Sequence, residues 1–190
     1  LKSAGGGDVV ILCNPNNPTG AYLPRDWVVD TARRLEARGA RLLVDESFID
    51  FARGESAAPD VAVVKSYGKF LAAPGLRVGA LLFKPSRPPP WRINSFADYA
   101  LWRLGPEALR RHREKTLGYI AEEKPRVVNK LRRCAPVAPS WVHFHIVFSD
   151  PPPGVKVRPL WDKGVRGFRF SLRTPAENNV LVHAVCRHVR

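Results

Sequence analysis

Lys65-Ser66-Tyr67-Gly68-Lys69-Phe70-Leu71-Ala72-Ala73-Pro74-Gly75-Leu76-Arg77-Val78-Gly79 follows directly on the apolar run Val61-Ala62-Val63-Val64. A short valine-rich run that gives way to hydroxyl residues and glycine reads as a buried strand opening into a loop. Lys69 sits in that loop, with Ser66 three residues before it and Arg77 eight after. Two earlier stretches have the same form. Val9-Val10-Ile11-Leu12-Cys13-Asn14-Pro15-Asn16-Asn17-Pro18-Thr19-Gly20 is a strand that breaks into a proline-stiffened turn rich in side-chain amides. Arg41-Leu42-Leu43-Val44-Asp45-Glu46-Ser47-Phe48-Ile49-Asp50-Phe51 is a short apolar strand ending in an acid. Amide, carboxylate and lysine thus arrive in order from three strand ends, where an open α/β sheet binds its ligands. One site is expected to collect all three.

An amine flanked by a hydroxyl and a guanidinium can hold a cofactor aldehyde and its phosphate, so Lys69 reads as the Schiff-base lysine of a pyridoxal 5′-phosphate enzyme. The chain resembles the class I/II aminotransferase family of such enzymes, with its NPxNPTG, DE-[AS]-[FY] and SxxK…R motifs. Asn14–Gly20, Asp45–Phe48 and Ser66–Lys69 with Arg77 match them, and the likeness runs on through Gly167–Asn179. Within the family the chain is most similar to the threonine-phosphate decarboxylases of cobalamin biosynthesis, with histidinol-phosphate aminotransferases next.

The resemblance implies a role for each matched residue. Asp45 would keep the pyridine nitrogen protonated; on spacing alone it reads equally as a turn or cap acid. Asn17 would donate its amide to the phenolic oxygen of the ring, while Asn14 and Asn16 shape the turn. Ser66 and Arg77 would bind the cofactor phosphate, the arginine as a charge-assisted fork. Arg169 would grip the substrate carboxylate. Arg173, further along the same strand, is read evenly as a contact to a substrate phosphate or as a solvated charge. Phe48 stands where histidinol-phosphate aminotransferases carry a tyrosine, Gly68 where a hydroxyl residue is common, and His143 where asparagine is usual. His143 and His145 share a strand face, but no third ligand accompanies them and no metal is expected.

The implied reaction follows from geometry at Cα, where the bond held perpendicular to the ring is the one that breaks. Decarboxylation of L-threonine O-3-phosphate is the leading reading. Transamination of histidinol phosphate or an aromatic amino acid is the alternative. An aminotransferase-like sensor domain of a transcription regulator is a third, and an upstream helix-turn-helix would reveal it.

Lys and Arg make up 31 of 190 residues, and the net charge is +14. The arginines are scattered among helices and lack interleaved aromatics, so nucleic acid is not an expected partner. Cys13, Cys134 and Cys186 are odd in number and far apart, which suits free thiols in a reducing cytosol. No run reaches transmembrane length. A cytoplasmic location is therefore expected, and the resemblance implies a homodimer acting on a small-molecule amino acid or amino phosphate.

Strand and helix signals alternate, arguing a mostly parallel sheet covered by helices. The expected fold class is α/β: the later half of a pyridoxal-phosphate transferase large domain (1–90), connecting helices (91–133) and a small α+β domain (134–190). Leu23–Ala37 reads as a helix with Trp27, Val28, Ala32 and Leu35 on its apolar face, and Gly39 stops it. The proline-rich connector Lys84–Trp91 precedes a long helical region, Ser95 to about Arg133, which Gly105-Pro106 interrupts and Pro125 is expected to kink or break again. Trp141–Phe148 and Gly167–Arg173 read as partner strands, and Thr174-Pro175-Ala176-Glu177 as a capping box opening a last helix. The resemblance implies a preceding segment with a glycine-rich phosphate loop. The chain also has no methionine, and on its own it is expected to hold the cofactor weakly.

Overall fold

The computed structural model describes residues 3–88, 90 and 92–189, which form two compact units. The first takes the residues up to Asn16 together with Tyr22–Glu114; the second takes Asn17–Ala21 and the residues from Lys115 onward.

In the first unit, β1 (Val9–Cys13), β2 (Arg41–Asp45), β3 (Ala62–Ser66) and β4 (Gly79–Leu81) form one sheet in that order. β1, β2 and β3 run parallel, and β4 returns antiparallel to β3. Helix α1 (Arg25–Glu36) is the crossover between β1 and β2 and packs Val28, Val29 and Leu35 on Leu42, Val44 and Val63. Val28, Val44 and Val63 are fully buried, so this layer excludes water and sets the strand register. Gly39 takes φ 76°, a left-handed conformation that ends the helix. Trp27, expected on the apolar face, is 43% exposed. The Val28–Thr31–Leu35 stripe points at the sheet, and Trp27 lies about 100° round the helix from Val28.

The long helix α2 (Ser95–Leu131) contributes to both units. Gly105 breaks it with φ 67° and ψ 169°, as the Gly-Pro pair suggests, and Pro106 starts the next segment. Pro125 does not break it. Pro125 and Ala121 are both exposed, so the carbonyl that loses its helical donor faces water. Pro89 and Trp91 of the connector lie outside the described residues.

The second unit holds an antiparallel sheet ordered β5 (Phe144–Val147), β7 (Phe168–Ser171), β6 (Arg158–Pro159) and the last helix, α3 (Pro175–His188). Phe168 and Phe170 point into a core with Val127, Val128 and Leu131 of α2 and Leu181 and Val185 of α3. The strands are shorter than the sequence pattern suggests, and β7 ends at Ser171, before Arg173. Thr174 forms the expected capping box with Glu177.

One expectation fails outright. Cys134 and Cys186 form a disulfide, with Cα atoms 5.1 Å apart despite 52 residues between them. The packing of Leu131 against Val185 brings the end of α2 to α3, which sequence spacing could not show. Cys13 stays outside the bridge. Among the described residues no helix is long and apolar enough to cross a membrane.

Candidate active site

Asp45 closes β2, and its Oδ1 accepts from the Ser47 amide at 2.9 Å and the Ser47 hydroxyl at 2.5 Å. The Ser47 hydroxyl oxygen in turn accepts the Ser66 amide at 3.2 Å. The ends of β2 and β3 are thereby tied, and the Asp45 carboxylate is oriented by one oxygen alone. Its Oδ2 has no hydrogen-bond partner among the described residues. Ser47 had no role in the sequence reading. A hydroxyl two residues after a strand-end acid is the local pattern that would have marked it.

Lys69 lies in the turn after β3, exposed, with Nζ 5.1 Å from the ring centroid of buried Phe48. Lys65, the other lysine here, pairs with Asp50 at 2.9 Å, its side chain 13% exposed. Among the described residues Lys69 has no such carboxylate. The two amines therefore divide: one is neutralised in a structural pair, the other is open to a ligand.

Beyond the lysine turn, Ser66, Gly68, Pro74, Arg77 and Gly79 line a cavity of about 230 Å³. Arg77 caps the 3₁₀ turn Pro74–Leu76 with φ 51° and ψ 53°, a left-handed backbone uncommon for a side chain of its kind. Its guanidinium makes no ion pair among the described residues. A Cβ on Gly79 would stand 2.5 Å from the Lys65 carbonyl oxygen, so only glycine lets β4 pair with β3 at this rim. A hydroxyl and an unpaired guanidinium on one small cavity suit a phosphate monoester, and an oriented carboxylate with one free oxygen suits a protonated ring nitrogen. The residues present fit pyridoxal phosphate.

In the second unit, Arg169 on β7 donates from Nη1 to Asn17 Oδ1 at 2.5 Å and stacks 5.2 Å from the Phe144 ring centroid. Its Nε is buried without a hydrogen-bond partner. Burial, and then neighbouring Arg158, lower its pKa from the ordinary guanidinium value. A half-buried guanidinium with no carboxylate beside it among the described residues has the chemistry to take one from a ligand. Asn17 is exposed, and with its oxygen engaged only the amide hydrogens remain to donate.

A cavity of about 450 Å³ has Lys156, Arg158, Arg169 and Arg173 in its lining, with one carboxylate, Glu177, and Asn178 beside them. Arg158 is the register partner of Arg169 across β6 and β7 and pairs with Asp162 at 2.7 Å. Arg173 lies past the strand end and pairs with Glu177 at 3.2 Å. Lys156 and Arg158 escaped the sequence reading because β6 is only two residues long and carries no alternation to place them. The imidazole of His145 is committed elsewhere: buried on Phe170, it reaches the Ala138 carbonyl at 3.2 Å. No cluster of three or more metal-binding side chains occurs among the described residues.

Residues 1–133 match the family model described as aminotransferase class I and II. An L-serine phosphate decarboxylase from Sulfurospirillum multivorans is 32% identical over 94% of this chain and 55% of its own length. A threonine-phosphate decarboxylase from Salmonella typhimurium is 34% identical over 49% of this chain and 30% of its own length. The solved histidinol-phosphate aminotransferase from Clostridium acetobutylicum superposes with a TM-score of 0.81, covering 96% of this chain and 64% of that one at 21% identity. The chain thus spans only part of the length of these relatives, about half of the serine-phosphate enzyme. Its motifs, its fold and the family match agree: the chain belongs to the class I and II aminotransferase family.

Proposed function

We propose that the protein is a pyridoxal-phosphate enzyme that releases carbon dioxide from an O-phosphorylated hydroxyamino acid, with L-threonine O-3-phosphate as the first candidate and cobalamin biosynthesis as its setting. The observation that carries this reading is the cationic cavity. Arg169 awaits one anion, and Lys156, Arg158 and Arg173 supply charge for a second on the same molecule. Two relatives named as phosphoamino-acid decarboxylases support it.

Bound pyridoxal phosphate supplies an electron sink for the charge left at Cα. Ser66 and Arg77 would hold its phosphate, and Asp45 Oδ2 would keep its ring nitrogen protonated. Asn17 would donate its amide to the phenolic oxygen, where Phe48 offers no hydroxyl. Lys69 would hold the cofactor through its amine and would serve as the group that carries the proton at the substrate's Cα. Arg169 grips the substrate carboxylate, and the direction in which that carboxylate is held decides whether carbon dioxide or a proton departs. The first unit is the cofactor-binding one, and the working form is a cytoplasmic homodimer. Detection of the protein as a monomer at micromolar concentration, or in an oxidising compartment consistent with its disulfide, would remove those two parts.

The deciding experiment supplies the cofactor-loaded protein with phosphothreonine, phosphoserine or histidinol phosphate. Carbon dioxide and an O-phosphoamine are expected from a phosphoamino acid. A 2-oxo acid acceptor consumed with histidinol phosphate, and no carbon dioxide, would replace this reading by transamination.

A further inference from the structure

Asn178 stands in the first turn of α3 and is 1% exposed. Its Oδ1 accepts the Arg173 amide at 2.9 Å, and its Nδ2 donates to the Arg173 carbonyl at 2.9 Å. The same Nδ2 donates to Glu123 Oε1 at 2.8 Å. Glu123, on α2 and 6% exposed, is held by Arg126 from Nε at 2.7 Å and Nη2 at 2.5 Å. The hydroxyl of Tyr119 donates to the same Arg173 carbonyl.

Helix initiation does not require this network. The Thr174 and Glu177 capping box already satisfies the start of α3. Buried polar groups so fully paired fix a geometry more than they add stability. The geometry fixed here is that of one residue, since Asn178 clamps both backbone groups of Arg173. That residue's side chain lines the cationic cavity, where Glu177 engages Nη1 at 3.2 Å and leaves the other guanidinium donors to a ligand.

We propose that Asn178 is a positioning residue for the substrate's phosphate: seated on Glu123 and assisted by Tyr119, it holds Arg173 so that the guanidinium is presented to a phosphate monoester. This rests on reading the cavity as the substrate's anion recess. Arg173 changes from an evenly balanced candidate into an oriented contact, and Asn178 into a determinant of preference for phosphorylated over unphosphorylated amino acids.

The test is a double-mutant cycle in the cofactor-loaded protein, with inorganic phosphate as the probe and its dissociation constant, KM, kcat and Tm as readouts. Asn178→Ala is expected to weaken phosphate binding roughly tenfold, the scale on which removing the partner of a ligating residue acts. KM for phosphothreonine should rise while kcat is kept. Arg173→Ala should do the same, and the double variant should be no worse than Arg173→Ala alone. Tyr119→Phe, at an exposed ring that keeps the fold, should weaken phosphate about threefold. A lowered Tm with unchanged phosphate affinity in Asn178→Ala and Tyr119→Phe, while Arg173→Ala does weaken binding, overturns the positioning role and leaves the recess standing. Unchanged phosphate affinity in both Arg173→Ala and Arg158→Ala removes the recess itself.

Discussion

At Lys65 and Lys69, four residues apart, the surroundings rather than the residue type separate a structural charge from a reactive amine. Lys65 shares Asp50 with Arg113, whose Nε stands 3.5 Å from the carboxylate, whereas Lys69 lies over the Phe48 ring and has no carboxylate partner among the described residues. Borohydride reduction of the cofactor-loaded protein should therefore attach the cofactor to Lys69, and Lys69→Ala should abolish attachment. Lys65→Ala should retain it while losing roughly 1 to 2 kcal/mol of stability, because Asp50 keeps Arg113. Peptide mapping that finds the cofactor on Lys65 would reverse the assignment. Asp45→Asn is expected to cut kcat about a hundredfold with the cofactor still bound. A change confined to KM would instead move Asp45 to substrate binding. Asp45, Ser66, Lys69 and Arg77 stood out in the sequence through the motifs they share with the family, and their roles here are proposals. The bond from the Ser66 amide to the Ser47 hydroxyl was not visible there, since nineteen residues separate the two.

Among the elements, the parallel strands were the most readable, their valine and leucine runs being continuous on a sheet buried by α1. β6 was invisible because two residues carry no period, and α2 runs through Pro125 unbroken because the carbonyl that loses its donor there meets water. β5 carries a different lesson. Its four residues are all buried, and among them His145 is 2% exposed, with Nε2 buried and without a hydrogen-bond partner. Burial pushes its pKa down to about 4 from 6.5; the Ala138 carbonyl opposes the shift, and Lys124 and Arg132 add to it. The unfolded chain thus binds the proton first as pH falls. Stability is complete above about pH 6.5, declines below it, and levels off beneath about pH 4, by up to about 3 kcal/mol. Denaturant melts of the second unit across this range should show the decline. His145→Phe should flatten it, and an unchanged slope in that variant would place the titration elsewhere.

For the whole molecule, the Cys134–Cys186 bond closes a loop of 52 residues, worth about 4 kcal/mol in the chain-entropy account. Dithiothreitol should lower the melting of the second unit and leave that of the first unchanged. A reduced protein that melts as before would make the bond incidental to stability. The division into units also has a consequence for dissection. Asn17–Ala21 belongs to the second unit, where the Trp141 amide donates to the Gly20 carbonyl at 2.8 Å and a Cβ on Gly20 would collide with the Ser140 side chain. The second unit is therefore discontinuous along the chain. No single cleavage can release it whole, since a nick after Glu114 leaves the Asn17–Ala21 tether on the other fragment. Gene halves split there would have to be co-expressed and reassociate by complementation, carrying the asparagine of the NPxNPTG motif on one polypeptide and its arginine partner on the other.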